Sequence, residues 1–87
     1  MKSTARPSFW RAYERLDDKT REAARKAYRL FEQDPFHPSL KFKKLGGYER
    51  IWSVRITDQY RAIGERQGDS ISWAWIGTHN EFDNLFG

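Results

Sequence analysis

The sequence has no cysteine and no long apolar run. Without cysteine the chain forms neither disulfide bonds nor thiolate metal sites. No stretch approaches the roughly 18 apolar residues that are needed to cross a bilayer. Residues 1–35 also contain no hydrophobic region of the kind found in signal peptides. We therefore expect a soluble, cytoplasmic protein.

The 87 residues predict a single domain over residues 1–87. A domain of this size buries only a modest fraction of its surface. Aromatic residues nevertheless make up 16% of the chain, and each of them buries a large apolar area. A folded core built from few positions is therefore expected, and disorder is not.

The net charge of +4 is spread unevenly along the chain. Residues 36–61 contain six Lys or Arg against two Asp or Glu, whereas residues 62–87 contain one against four. A basic middle region suits a polyanion such as nucleic acid, or an acidic protein. On charge alone, a solvated surface with an ordinary excess of lysine is an equal alternative.

The first third of the chain has the periodicity of two helices. The first is predicted after Pro7, and the second from near Asp18 to about Gln33. Pro35 ends the second helix, because the residue before a proline disfavours the helical conformation. The two apolar stripes consist of Phe9, Trp10, Tyr13 and Leu16 in the first helix and of Ala24, Ala27, Tyr28 and Phe31 in the second.

After Pro35 the pattern changes to strand-like alternation. It is clearest over residues 51–57, and two further runs cover residues 60–65 and 71–76. Gly68 and Asp69 mark a hairpin turn between the last two runs. Residues 1–8 show no such alternation, and residues 78–86 are expected to form a turn or a brief helix. Trp73 and Trp75 are expected on one face of the last strand.

These elements predict an α+β fold. Short connections between strands imply antiparallel pairing, and the helices then cover one face of the sheet. The expected architecture is an N-terminal helical hairpin packed on a three- or four-stranded antiparallel sheet.

Three segments in this order resemble the RelE/ParE toxin superfamily. They read DPFHPSLKFKKLGG from residue 34, IWSVRITDQYRAIGE from residue 51 and ISWAWIGTHNEFDNLF from residue 71. The resemblance covers residues 9–86, and the Gly-Thr-His of the tail is similar to the YafQ branch, with a histidine also placed there in the YoeB and HigB branches. It implies a type II toxin that cuts mRNA in the ribosomal A site without a metal or other cofactor, and a cognate antitoxin that blocks it.

The sequence departs from this family at two places. Most members open with a β-strand, which residues 1–8 do not predict. Several RNA-cleaving members also carry an Arg or Lys on or just after the last strand, where this chain has Trp73, Ala74, Trp75 and Ile76. The ParE branch inhibits DNA gyrase and lacks the nuclease residues. A non-catalytic inhibitor of this type, or a degenerate non-toxic relative, is therefore the alternative.

The resemblance assigns catalytic roles to Arg61, His79 and Arg55. Arg61 matches the family's Tyr-Arg position, whose guanidinium contacts the scissile phosphate, and its fork of donors suits bidentate binding. His79 matches the tail histidine, and imidazole transfers protons near neutral pH. Arg55 matches a basic strand position. The alternatives are an Arg61 paired with Glu65 or Asp58, and a histidine without a role.

Further candidates would bind RNA rather than cut it. Lys41, Lys43 and Lys44 suit backbone phosphates, but lysines also protect exposed sheet edges. Phe82, four residues before Phe86, suits stacking on a base, or else anchors the tail to the core. Asp83 is a possible acid–base partner, and His37 is interpreted as structural.

Overall fold

Five strands form one mixed sheet, with two helices on one of its faces and a third helix at the end of the last strand. The structure is a computed structural model that describes residues 1–86, without the side chain of Phe86. The elements in chain order are β1 Lys2–Ala5, α1 Pro7–Glu14, α2 Asp18–Gln33, a 3₁₀ turn Pro38–Leu40, β2 Lys43–Lys44, β3 Ile51–Arg55, β4 Tyr60–Gln67, β5 Ser70–Thr78 and α3 His79–Phe86.

The strand order across the sheet is β1-β5-β4-β3-β2. Three pairs of neighbours are antiparallel, and β1 lies parallel to β5. The α+β class is confirmed, but the three- or four-stranded antiparallel sheet was wrong in both strand number and direction. No helix within residues 1–86 combines the length and apolar character needed to span a membrane.

The two N-terminal helices begin at local signals in the sequence. Pro7 occupies the first turn of α1, where its missing N–H costs nothing. Asp17 caps α2, because its carboxylate accepts a hydrogen bond from the Thr20 amide at 2.7 Å. The predicted bounds of α2, Asp18 to Gln33, are confirmed.

The core lies between these helices and the sheet. Phe31 of α2 contacts Trp73 of β5 and Phe42 before β2, with ring centroids 5.4 and 5.0 Å apart. Each of these contacts has the edge-to-face geometry that aromatic rings favour. The buried apolar cluster consists of Ala12, Leu16, Ala24, Phe31, Leu40, Phe42, Val54, Ala62, Ile71, Trp73 and Ile76.

The strand β1 corrects the expectation that residues 1–8 form no strand. Its exposure alternates, with Ser3 and Ala5 half-buried and Lys2 and Thr4 exposed. Ser3 Oγ accepts a hydrogen bond from the Trp73 indole N–H at 2.7 Å. The pattern of apolar residues did not reveal this alternation, because the inward-facing residues of β1 are a serine and an alanine.

A bulge in β5 corrects the expectation that Trp73 and Trp75 share a face. Trp73 pairs with Gly64, but Trp75 pairs with Ile63, so Ala74 is an extra residue without a partner on β4. Trp73 therefore points into the core, whereas Trp75 lies on the opposite side. A Cβ on Gly64 would come within 2.9 Å of the Trp73 ring, so glycine allows this close packing.

We expect Ser3→Ala to lower the free energy of unfolding by about 1 kcal/mol, because the half-buried indole N–H of Trp73 loses its partner. Urea denaturation followed by tryptophan fluorescence measures this difference. Thr4→Ala is the matched control on the exposed side of the same strand. Equal stabilities of the two variants would contradict the role given to Ser3.

We expect the cap at Asp17 to make stability depend on pH. Hydrogen bonds from the side chain and the backbone amide of Thr20 lower the pKa of the Asp17 carboxyl from its ordinary value of 3.8. A lowered folded-state pKa adds stability above the unfolded-state pKa, and this stability is lost as the pH falls through the folded-state value. Thermal melts should therefore show Asp17→Ala below the parent protein at pH 7 and close to it in strong acid. Asp17→Asn keeps a capping side chain and should lose less at pH 7.

Candidate functional site

The face of the sheet opposite α1 and α2 brings together two arginines. Arg55 of β3 is the direct cross-strand partner of Arg61 of β4, which in turn pairs with Gly77 of β5. Residues paired in this way present their side chains to the same face. The face is the one that Val54 and Ala62 do not occupy, since side chains alternate along a strand. Two guanidinium groups therefore lie side by side on this face.

Arg55 has a carboxylate partner within the chain. Its guanidinium forms an ion pair with Asp58 in the turn between β3 and β4. A second terminal nitrogen lies 3.5 Å from the Ser39 carbonyl oxygen. The side chain is 28% exposed, so this ion pair is partly shielded from water. A phosphate would have to compete with Asp58 for Arg55.

Within the described residues, Arg61 donates hydrogen bonds to backbone oxygens. Its Nη1 donates to the carbonyls of Thr57 at 2.6 Å, Tyr60 at 3.0 Å and Asp58 at 3.4 Å. These bonds fix the side chain against its own turn but leave its positive charge without a carboxylate partner among residues 1–86.

The alternative in which Arg61 pairs with an acidic side chain was wrong. Asp58 pairs with Arg55, and Glu65 accepts a hydrogen bond from Arg6 at 2.6 Å. The two candidate carboxylates are thus both engaged by other arginines. Within the part of the chain that the structure describes, the guanidinium of Arg61 is thus fixed but has no neutralising carboxylate.

His79 lies two residues beyond Gly77, the cross-strand partner of Arg61. Its backbone N–H donates to the Gln59 carbonyl at 2.9 Å, which continues the β4–β5 ladder beyond the pair of Arg61 and Gly77. His79 is the first residue of α3 and lies at the end of the ladder that contains Arg61. Its Nε2 is 3.5 Å from Asp83 Oδ2, and both side chains are more than half exposed.

The start of α3 is held by a reciprocal cap that sequence reasoning missed. The Thr78 amide donates to Glu81 Oε1 at 2.9 Å, and the Glu81 amide donates to Thr78 Oγ1 at 3.1 Å. This is a capping box, and its Thr-x-x-Glu spacing was readable in the sequence. It fixes the direction in which His79 leaves the sheet.

Gly77 and Trp75 form the second anchor of α3. A Cβ on Gly77 would lie 2.3 Å from the Trp75 ring, so the indole rests directly on this glycine. Phe82 packs against the same indole at a centroid distance of 6.4 Å. The structure thus gives Phe82 the anchoring contact, and its stacking on a base stays a prediction. The side chain of Phe86 lies outside what the structure describes.

The three candidate lysines do not lie together on one face of the sheet. Lys43 pairs with Ser53, which puts it on the face of Arg55 and Arg61, whereas Lys44 pairs with Trp52 on the helix-covered face. Lys41 lies outside β2 and ends the 3₁₀ turn with a positive φ of 45°. All three are exposed. Only Lys43 extends the surface that Arg61 occupies.

His37 has a structural contact, as interpreted from the sequence. Its Nδ1 accepts a hydrogen bond from the Ser39 amide at 3.2 Å and so caps the 3₁₀ turn. Within residues 1–86, no group of three or more His, Asp or Glu side chains is placed to hold a metal ion.

The comparison with protein families gives this surface a context. Residues 18–84 match the model of the ParE-like toxin domain, which is more than three quarters of the chain. The chain belongs to this family. The resemblance of the three sequence segments to the RelE/ParE superfamily is thereby confirmed. No curated protein sequence matches the ParE-like domain described here.

Solved structures with the same fold include several toxins. A chain of the RelB–RelE antitoxin–toxin complex from Methanococcus jannaschii has a TM-score of 0.79 and 16% identity, over 97% of this chain and 99% of that chain. The YoeB/ParE toxin from Agrobacterium tumefaciens has a TM-score of 0.71 and 27% identity, over 91% and 99%. YafQ from E. coli strain BL21(DE3) has a TM-score of 0.70 and 15% identity, over 99% and 98%.

We expect Gly77→Ala to destabilise the domain by about 1–3 kcal/mol, because the added methyl group displaces the Trp75 ring on which Phe82 rests. Urea denaturation measures the loss. Gly46→Ala is the matched control, since a Cβ there meets nothing within 4 Å and its φ is not positive. If Gly77→Ala proves as stable as Gly46→Ala, α3 is not anchored through this contact.

Proposed function

We propose that this ParE-like domain is the toxin of a type II toxin–antitoxin system that cuts mRNA on the ribosome without a metal. The observation that carries the proposal is that Arg61 and His79 lie at the same end of the β4–β5 ladder. Arg61 supplies a fixed positive charge that has no carboxylate partner among residues 1–86, and His79 supplies an exposed group that transfers protons. The family's activity and the position of both residues in its motifs support the same interpretation.

The chemistry of this cleavage requires three functions. A base removes the proton of the 2′-hydroxyl group, an acid protonates the leaving 5′ oxygen, and a cation stabilises the charge on the phosphorane. Imidazole suits proton transfer near neutral pH, so we assign one of the proton transfers to His79. Asp83, 3.5 Å from its Nε2, orients the ring. We assign the stabilisation of the phosphorane charge to Arg61. Its planar guanidinium can donate hydrogen bonds to two phosphate oxygens at once.

Arg55 and Lys43 extend this surface. Arg55 is the cross-strand neighbour of Arg61, and RNA would draw it from Asp58 toward a phosphate. Lys43 lies on the same face two strands from Arg61 and is exposed. Its role is that of a contact to the RNA backbone, which strengthens binding without reading the sequence. Lys41, Lys44 and Phe82 stay weaker candidates for RNA contact.

An antitoxin is the protein partner that we propose. The similar chain from Methanococcus jannaschii was solved in an antitoxin–toxin complex. In this chain, a groove of about 490 Å³ runs between β1, α1 and α2. Its walls include the half-exposed rings of Trp10 and Tyr28 together with Arg25 and Arg29. An amphipathic segment with acidic residues complements such a groove.

The second candidate is a non-catalytic inhibitor of the ParE type that acts on DNA gyrase by protein contact. Two observations favour it. Arg55 is neutralised by Asp58, and the stretch from Trp73 to Ile76 on β5 carries no base. This candidate predicts that toxicity survives the loss of both Arg61 and His79.

We expect expression of the chain in a bacterial host to arrest growth and to cut translated mRNA, as seen by primer extension on a reporter transcript. Arg61→Ala and His79→Ala should each reduce cleavage by roughly 10²–10⁴-fold, the contribution of a general acid–base group or of a preorganised cation. Both variants should then grow.

The controls are matched in residue type. Arg11→Ala removes an exposed arginine on α1, and His37→Ala removes the histidine of the 3₁₀ turn. Both should arrest growth like the parent chain, with thermal melts confirming that all variants are folded. Growth arrest without mRNA cleavage, unchanged in the double variant and accompanied by loss of DNA supercoiling, would replace the nuclease with the gyrase inhibitor.

A further inference from the structure

Arg66 of β4 lies over three aromatic rings. Its guanidinium carbon is 4.6 Å from the centroid of Trp52, 5.7 Å from that of Phe36 and 5.8 Å from that of Phe42. These distances are within the range of cation–π attraction. We call Phe36, Phe42, Trp52 and Arg66 the Arg66 cluster. The guanidinium is held by ring faces.

The three rings of the cluster contact one another in a row that extends from the core to the surface. Phe42 contacts Trp52 at a centroid distance of 4.7 Å and Phe36 at 5.5 Å. Phe42 is buried in the core, whereas Phe36 is 59% exposed. Arg66 is half-buried, and its Nε donates to the Gly68 carbonyl at 2.9 Å. This bond and the Trp52 ring fix the plane of the guanidinium.

The ion pairs and neighbouring charges around Arg66 leave it positively charged within residues 1–86. No ion pair within the described residues includes it. Lys44 is the cross-strand partner of Trp52, and the backbone of Arg50 accepts a hydrogen bond from the Arg66 amide at 2.8 Å. Two further cations thus adjoin the cluster, and both are exposed. Glu49, also exposed, is the acidic residue of the adjoining loop.

We propose that the Arg66 cluster binds one base of a single-stranded nucleic acid. A base stacks on the guanidinium plane and the exposed ring of Phe36, while its phosphates contact Lys44 and Arg50. Proteins bind single strands in this way, by combining basic side chains with aromatic rings on which bases stack. An acidic peptide would engage the cations but would leave the flat surface of Phe36 and Arg66 unused.

This site is separate from the one that contains Arg61. Arg66 lies five residues further along β4 and faces the same side of the sheet as Trp52, whereas Arg61 faces the opposite side. The proposal therefore does not require that Arg61 and His79 cut RNA. An RNA strand bound at the Arg66 cluster contacts the domain at the opposite end of β4 from His79.

The test is the binding of fluorescent 12-nucleotide strands of RNA and of DNA, measured by fluorescence anisotropy. A third strand carries the same phosphates but abasic sugars. We expect the parent chain to bind at least one base-containing strand roughly tenfold more tightly than the abasic strand, the effect of one stacked base. Arg66→Ala should bind base-containing and abasic strands alike. The RNA and DNA arms tell which nucleic acid the site prefers.

Three variants accompany this measurement. Arg66→Lys keeps the charge but loses the plane, and Phe36→Ala removes an exposed ring, so both should weaken preference for bases. Arg11→Ala removes an equal charge from α1 and should bind like the parent chain. In ¹⁵N spectra of the parent chain, the Trp52 indole signal should shift on addition of the RNA strand, while that of Trp10, on α1, stays in place.

Equal affinities for base-containing and abasic strands in the parent chain would overturn the proposal, as would no binding of any strand. The same holds if Arg66→Lys and Phe36→Ala both keep the full preference for bases. Loss of mRNA cleavage in Arg61→Ala with base preference intact would show that the two sites act separately.

Discussion

The packing of Trp73 in the core is the interaction on which the other elements depend. Its ring packs against Phe31 of α2, lies close to Gly64 of β4, and donates a hydrogen bond to Ser3 of β1. One side chain thus joins three elements that are far apart in sequence. The large apolar area of an indole makes this possible in a small domain, and its single N–H requires an acceptor such as Ser3 when the ring is buried.

The bulge that follows Trp73 connects the core to the candidate site. Because Ala74 is an extra residue, Trp75 emerges on the other face of the sheet and covers Gly77. The same indole receives Phe82, and so α3 is anchored with His79 at its first turn. The position of His79 is therefore a consequence of one irregular residue in β5. Bulges are known to redirect side chains near functional sites.

The sequence was most informative where local signals and strong periodicity coincide. The bounds of α2 follow from Asp17, from the apolar stripe and from Pro35, and the turn at Gly68 follows from its composition. The opposing faces of Trp73 and Trp75 could not be predicted, because a bulge leaves the composition of a strand unchanged. The strand β1 was missed because its register depends on pairing with β5, some 68 residues away.

The candidate site was predictable in part. Family resemblance singled out Arg61, His79 and Arg55, and the register places Arg55 and Arg61 on one face, with His79 at the end of the same ladder. The ion pair of Arg55 with Asp58 and that of Glu65 with Arg6 depend on side-chain positions that spacing does not fix. The Arg66 cluster was not foreseen either, since its four members come from three separate segments.

The parallel pairing of β1 with β5 bears on when the domain folds. β1 stays without its sheet partner until residues 70–73 have been synthesised, and contacts of such long sequence separation form slowly. Ser3 and Trp73 meet only at that stage, and His79 takes its place only after β5 has formed. The five-stranded sheet is therefore not complete until translation of the domain is nearly finished.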